Sequence, residues 1–66
     1  MICYAPFWKT LKAKNITVYK LIRYYNMSSG TFYRMRKNMP ISSHTLNRLC
    51  YILKCNIEDI AEYVSD

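Results

Sequence analysis

Negative charge is missing from most of this chain. No aspartate or glutamate occurs before Glu58, and the four carboxylates, Glu58, Asp59, Glu62 and Asp66, all fall at the C-terminal end. All ten lysines and arginines precede them, from Lys9 to Lys54. Solvated surfaces normally mix both signs, whereas a field of one sign attracts polyanions such as nucleic acid or an acidic membrane. The same shortage removes catalytic options. There is one histidine, His44, and no carboxylate pair outside the acidic end, so no base–nucleophile arrangement is visible and an enzyme is not expected. Cysteine is scarce and odd in number: Cys3, Cys50 and Cys55. That count argues against a disulfide framework. With one histidine and no zinc-knuckle spacing, four ligands are not at hand either. The thiols read as structural, with no metal and no cofactor.

Other absences narrow the class further. Apolar runs are short and broken by lysine or arginine, so nothing spans a membrane. The start, "MICYAPFWKTLKAK", has no basic segment ahead of an apolar one, which argues against a signal peptide and for a cytoplasmic protein. Glycine occurs once, at Gly30. No convincing alternation of strand type appears, although "MICY" could form a short extended arm. At 66 residues the chain is a single domain, 1–66, with a small core, and 52% hydrophobic residues exclude disorder.

What is present is helical spacing. Pro6 suits a first turn, and Phe7, Trp8 and Leu11 stand at helical spacing, Trp8 and Leu11 as an i, i+3 pair, predicting a helix over roughly 6–14. Asn15 and Ile16 break it. Thr17 is a good N-cap for a second helix, 18–25, with Val18, Leu21, Ile22 and Tyr25 at helical spacing. Asn26 tolerates the left-handed conformation that ends helices. Met27 is apolar, and Ser28 caps a third helix, 29–37, whose inward residues are Phe32 and Met35. Pro40 marks its end. Ser42 caps a fourth helix, 43–54, with Leu46, Leu49, Cys50 and Leu53 on one face. Ile57, Ile60, Ala61 and Val64 suggest a short acidic fifth helix, 57–63. The reading is all-α, a bundle of five short helices.

The connection Asn26–Ser28 joins the second and third helices too tightly for antiparallel packing. A polar turn residue, an apolar plug and a capping serine form the joint of a helix-turn-helix. The third helix would turn Ser29, Tyr33 and Lys37 outward on one line, with Gly30 and Arg34 beside them. Small residues at its start let the backbone approach a major groove about 12 Å wide. Ser29 can bond a base edge, and Arg34 can bind guanine O6 and N7 together. Tyr33 can reach a phosphate or touch a thymine methyl, while Arg36 and Lys37 would hold phosphates. The amides at Thr17–Tyr19, Ser28–Gly30 and Ser42–His44 add anion sites at three helix starts.

The pattern T-x-x-x-L-x-x-x-x-N-M-S-x-x-x-F-x-x-M, followed by I-S-x-x-x-L-x-x-L-C-x-x-L-x-C-x-I-x-D-I, resembles the Cro/repressor-type helix-turn-helix family, in particular its short stand-alone bacterial and phage regulators. The resemblance covers essentially the whole chain. It implies a lambda-repressor-like bundle of five helices that binds double-stranded DNA sequence-specifically to control transcription, with repression expected. Carried over by position, it implies base readers at Ser29, Gly30, Tyr33 and Arg34. It implies phosphate contacts at Thr17, Val18, Ser28, Thr31, Asn38 and Ser43. Three positions depart from the family's habit: Asn26 stands where glycine is usual, Ile22 where a small residue is common, and Gly30 where many relatives carry a long polar reader.

Two other classes compete. Basic helices with aromatics can lie on anionic lipid, but the apolar faces here are shared among several capped helices, as in a folded core. A small protein-interaction module, antitoxin-like or anti-repressor, would keep the fold and bind DNA weakly. A module of this size buries modest area on DNA, so a homodimer on two half-sites about one helical turn apart is expected. The face of the fourth and fifth helices, with Tyr51 and Tyr63, is the least basic surface for that contact.

Overall fold

A computed structural model describes residues 1–65. A two-residue strand β1 (Ile2–Cys3) leads into helices α1 (Ala5–Lys14), α2 (Val18–Tyr25), α3 (Ser29–Arg36) and α4 (Ser43–Leu53). A 3-10 turn (Ile57–Asp59) and strand β2 (Glu62–Tyr63) follow. The starts of the helices follow the local chemistry. Pro6 stands in the first turn of α1. The hydroxyl oxygens of Thr17, Ser28 and Ser42 accept the amide N–H groups of Lys20, Gly30 and Thr45, each at 3.1 Å. Such caps satisfy donors that the helix itself leaves open, at about 1 kcal/mol each.

The ends share one device. Asn15, Asn26, Asn38 and Lys54 take the left-handed conformation, with φ of 56°, 56°, 55° and 51°. Asparagine tolerates this region better than most residues, and here it stands where glycine is commonly used. The amide of Asn26 donates to the Leu21 carbonyl, and that of Met27 returns to the same oxygen at 3.3 Å. At the end of α3 the chain turns at Asn38, and the Met39 N–H donates to the Arg34 carbonyl at 2.8 Å. The helix is therefore closed before Pro40 is reached.

The core draws on every helix: Phe7 and Leu11 from α1, Leu21 from α2, Phe32 and Met35 from α3, and Leu49 and Leu53 from α4. Met27 from the turn, Tyr4 and Ile60 complete it. In α1 the inward pair is Phe7 and Leu11 at i, i+4, and Trp8 is half-buried beside them. The Phe7 and Phe32 rings stack at 5.9 Å between centroids and 16° between planes. Tyr25 is exposed rather than inward. Tyr4 is buried, and its hydroxyl donates to the Met39 carbonyl at 2.9 Å.

The fifth helix expected over 57–63 does not form, so among the described residues the bundle has four α-helices and a small sheet. The Asp59 carboxylate accepts the Asn56 N–H at 3.0 Å and closes a single turn. The Thr10 hydroxyl then ties the Asp59 carbonyl to α1 at 2.7 Å. Ile60 is fully buried, but Ile57 is 56% exposed and Val64 lies outside the core, so the apolar stripe is divided. Beyond Ile60 the chain extends as β2 and pairs antiparallel with β1, with Ile2 opposite Tyr63 and Cys3 opposite Glu62. The Val64 N–H donates to the Met1 carbonyl at 2.8 Å. The arm "MICY" supplies the partner strand that a helix would have left unused.

The left-handed turn gives a direct test. Asn26→Gly is expected to leave unfolding by urea unchanged or shift it to higher denaturant. Asn26→Val is expected to cost about 1–2 kcal/mol, because a β-branched residue resists φ near 56°. Equal midpoints for the two variants would contradict the assignment.

Candidate nucleic-acid interface

Phe32 and Met35 hold α3 by its inner side, which fixes what its outer side presents. Ser29, Tyr33, Arg34 and Lys37 are all exposed, and Tyr33 is 58% exposed. The Lys37 ammonium lies 5.8 Å from the centre of the Tyr33 ring, so the tyrosine face supports a cation. Among the described residues no carboxylate pairs with either group.

Arg34 is the most constrained of these side chains. Its guanidinium folds back toward the start of the helix, as helical side chains tend to do, and Nη2 donates to the Thr31 hydroxyl at 3.5 Å. Gly30 lies close to it. A Cβ there would lie 3.4 Å from Arg34 Nη1 and 3.3 Å from Ser28 Oγ. The glycine is in a helix, not in a left-handed turn. A Cβ there would be tight only against Ser28 Oγ and at ordinary contact distance from the arginine.

The residues expected at phosphates divide into two groups. Thr17, Ser28 and Ser43 are exposed at the starts of α2, α3 and α4, and Val18 is half-buried beside Thr17. Thr31 differs: it is 6% exposed, and its hydroxyl meets Arg34 rather than open solvent. Asn38 is engaged in the fold, since its side-chain oxygen accepts the Tyr4 N–H at 3.3 Å. Arg36 stacks on α1, with Cζ 5.0 Å from the Trp8 ring centre. A stacked guanidinium still directs its N–H edge outward, and the stacking fixes its orientation.

Chain-distant contacts also brace this surface. Arg48 of α4 donates from Nη2 to the Tyr25 carbonyl at 2.6 Å, clamping the last turn of α2 just before the joint. Nothing in the local sequence marks Arg48 or Trp8 for these roles, because each acts on a partner far along the chain.

Residues 7–66 match the family model of the Cro/C1-type helix-turn-helix DNA-binding domain. The chain belongs to that family. Among solved structures, the crystal structure of the transcriptional regulator VanUg is similar to it, with a TM-score of 0.88 and 28% identity. That alignment covers 98% of this chain and 87% of the other. No curated protein sequence matches. For a Cro/C1-type domain, the pieces now have a common sense: α2, the turn at Asn26–Ser28 and α3 are the helix-turn-helix, and the exposed face of α3 is its basic, carboxylate-free side. No helix among the described residues is long and apolar enough to cross a membrane.

Gly30→Ala separates packing from positioning. Its methyl would crowd Ser28 Oγ, the cap that accepts the Gly30 N–H, by a few tenths of an ångström, while alanine favours the helix by about 0.5–1 kcal/mol. Thermal unfolding is expected to stay or rise, while the Arg34 guanidinium signals in nitrogen-15 NMR shift as the side chain leaves Thr31. Unmoved Arg34 signals would show that the glycine does not shape its position.

Proposed function

We propose that this domain is a sequence-specific double-stranded DNA-binding transcriptional regulator that sets α3 in the major groove. In this reading Arg34 binds a guanine edge, Ser29 and Tyr33 make the adjacent base contacts, and Gly30 lets the backbone approach. Lys37, Arg36 and the helix starts at Thr17, Val18, Ser28 and Ser43 hold phosphates. Asn38 and Thr31 act from behind, one by shaping the end of α3 and the other by steering Arg34. The observation that carries the reading is the exposed, positively charged outer face of a helix pinned from inside by Phe32 and Met35. A domain that fills a major groove keeps other proteins out of it, so repression requires nothing further of the fold. The site of action would be the cytoplasm, where the DNA is.

Competition binding on one identified site distinguishes the roles. Arg34→Ala is expected to cost about 1–3 kcal/mol at a single base pair and to relax preference there. Lys37→Ala is expected to weaken all sequences alike and to lower the salt dependence by about one charge. Equal losses on cognate and random DNA for Arg34→Ala would remove its base-reading role.

The reading includes a homodimer on DNA. Met1, Ile2, Ile41, Leu46, Ile57 and Tyr63 line an apolar groove of about 540 Å³ between the small sheet and α4. Glu62 borders it, so this face carries negative charge. A second copy docked there would keep both basic faces free for phosphates. Sedimentation at micromolar concentration is expected to give a dimer, and Ile57→Glu to weaken it at least about tenfold, which is 1.4 kcal/mol, with helicity intact. A monomeric wild type would count against the dimer.

A further inference from the structure

Base reading by α3 leaves the outer side of α2 unused. On that helix Val18, Leu21 and Ile22 fall on one side, where Leu21 is fully buried and the other two are half-buried. At roughly 100° per residue, the opposite arc, roughly 140° wide, holds Tyr19, Arg23, Lys20 and Tyr24 in that angular order. All four are exposed, the tyrosines at 67% and 70%. Among the described residues, none of the four side chains makes a hydrogen bond, ion pair or ring contact. Tyr33 differs, because the Lys37 ammonium already lies at its ring. No carboxylate occurs in α2. The arc is thus two cations between two aromatic rings that nothing else in the fold engages.

We propose that this face of α2 is a second binding site, for single-stranded nucleic acid, in which Tyr19 and Tyr24 each stack an unpaired base and Lys20 and Arg23 hold the phosphates between them. The chemistry selects this occupant. Cations without a carboxylate attract a polyanion. A tyrosine ring offers a flat face that an unpaired base can meet, whereas the bases inside a duplex are stacked on one another. The helix sets Tyr19 and Tyr24 about 7.5 Å apart along its axis, more than the step of about 3.4 Å in a stacked strand, so two bases are held apart with backbone between them. A protein partner would have to bury Lys20 and Arg23 at the middle of its contact, where charged residues are depleted. A lipid surface would need an apolar stripe, and the arc offers only the two tyrosines. The site is separate from Ser29, Tyr33 and Arg34, so it adds to duplex reading and does not rest on it.

The test uses the full chain and three short labelled strands of equal charge, read by fluorescence anisotropy: oligo-dT, oligo-rU and a base-free deoxyribose-phosphate strand. The base-free strand is held by charge alone, so the wild type is expected to bind oligo-dT at least about fivefold more tightly, the worth of one stacked base. Tyr19→Ala and Tyr24→Ala should each weaken oligo-dT at least about fivefold and leave the base-free strand unchanged. Alanine favours a helix, so these exposed positions keep the fold, which circular dichroism checks. Lys20→Gln with Arg23→Gln should weaken every strand and flatten the slope of log affinity against log salt by about 1.4. The tighter of oligo-dT and oligo-rU identifies whether DNA or RNA is the source, and base-dependent binding of either supports the site. Equal wild-type affinity for the base-bearing and base-free strands would overturn the proposal, as would tyrosine variants that bind like the wild type. Equal losses on oligo-dT and on duplex for Tyr24→Ala would overturn it too, because α2 would then belong to the duplex face.

Discussion

An eight-residue helix does not hold itself together in water, because nucleation is costly and few hydrogen bonds follow it. Everything on the outer face of α3 therefore depends on the burial of Phe32 and Met35. Both are fully buried, and full burial of such side chains contributes about 1.5–3 kcal/mol each. Phe32 meets Phe7 across the core, so α1 sets the depth at which α3 sits. Met27 does the same for the joint, closing the angle between α2 and α3 from inside. Caps at Ser28 and Asn38 then fix where α3 starts and stops.

With the inner side committed, the outer side is free to be polar, and its charge is unbalanced. The basic residues occupy the chain up to Lys54, and the acidic ones follow it. In the fold the acidic segment forms the 3-10 turn and β2, with Glu62 at the border of the apolar groove. Within the basic face, side chains are held by neutral partners. Trp8 carries Arg36, Tyr33 carries Lys37, and Thr31 holds Arg34. Such partners orient a cation without neutralising it, which a carboxylate would do.

Much of this was legible in the residues themselves. The caps at Thr17, Ser28 and Ser42, the turn at Asn26, and the inward pairs of α3 and α4 are local features, and local chemistry decides them. The misreadings share a cause. A fifth helix was inferred from Ile57, Ile60, Ala61 and Val64, yet strand pairing with Ile2 and Cys3 takes over beyond Ile60, and no local pattern reports a partner some sixty residues away. Phe7, Trp8 and Leu11 share helical spacing, but only packing shows that Phe7 and Leu11 are buried and that Trp8 is half-buried beside Arg36. Thr31 looks like a polar residue near a helix start, and only packing reveals it as buried.

The claim at the centre is that the outer face of α3 reads sequence and does not merely attract phosphate. Selection from a random duplex pool with the purified full chain at near-physiological salt addresses it most directly. The account predicts enrichment of a roughly palindromic site, whose half-site spacing reports how two copies sit on the duplex. Binding without enrichment that vanishes as salt rises would contradict it. The basic face would then be an electrostatic surface only, and the fold would serve a protein partner instead.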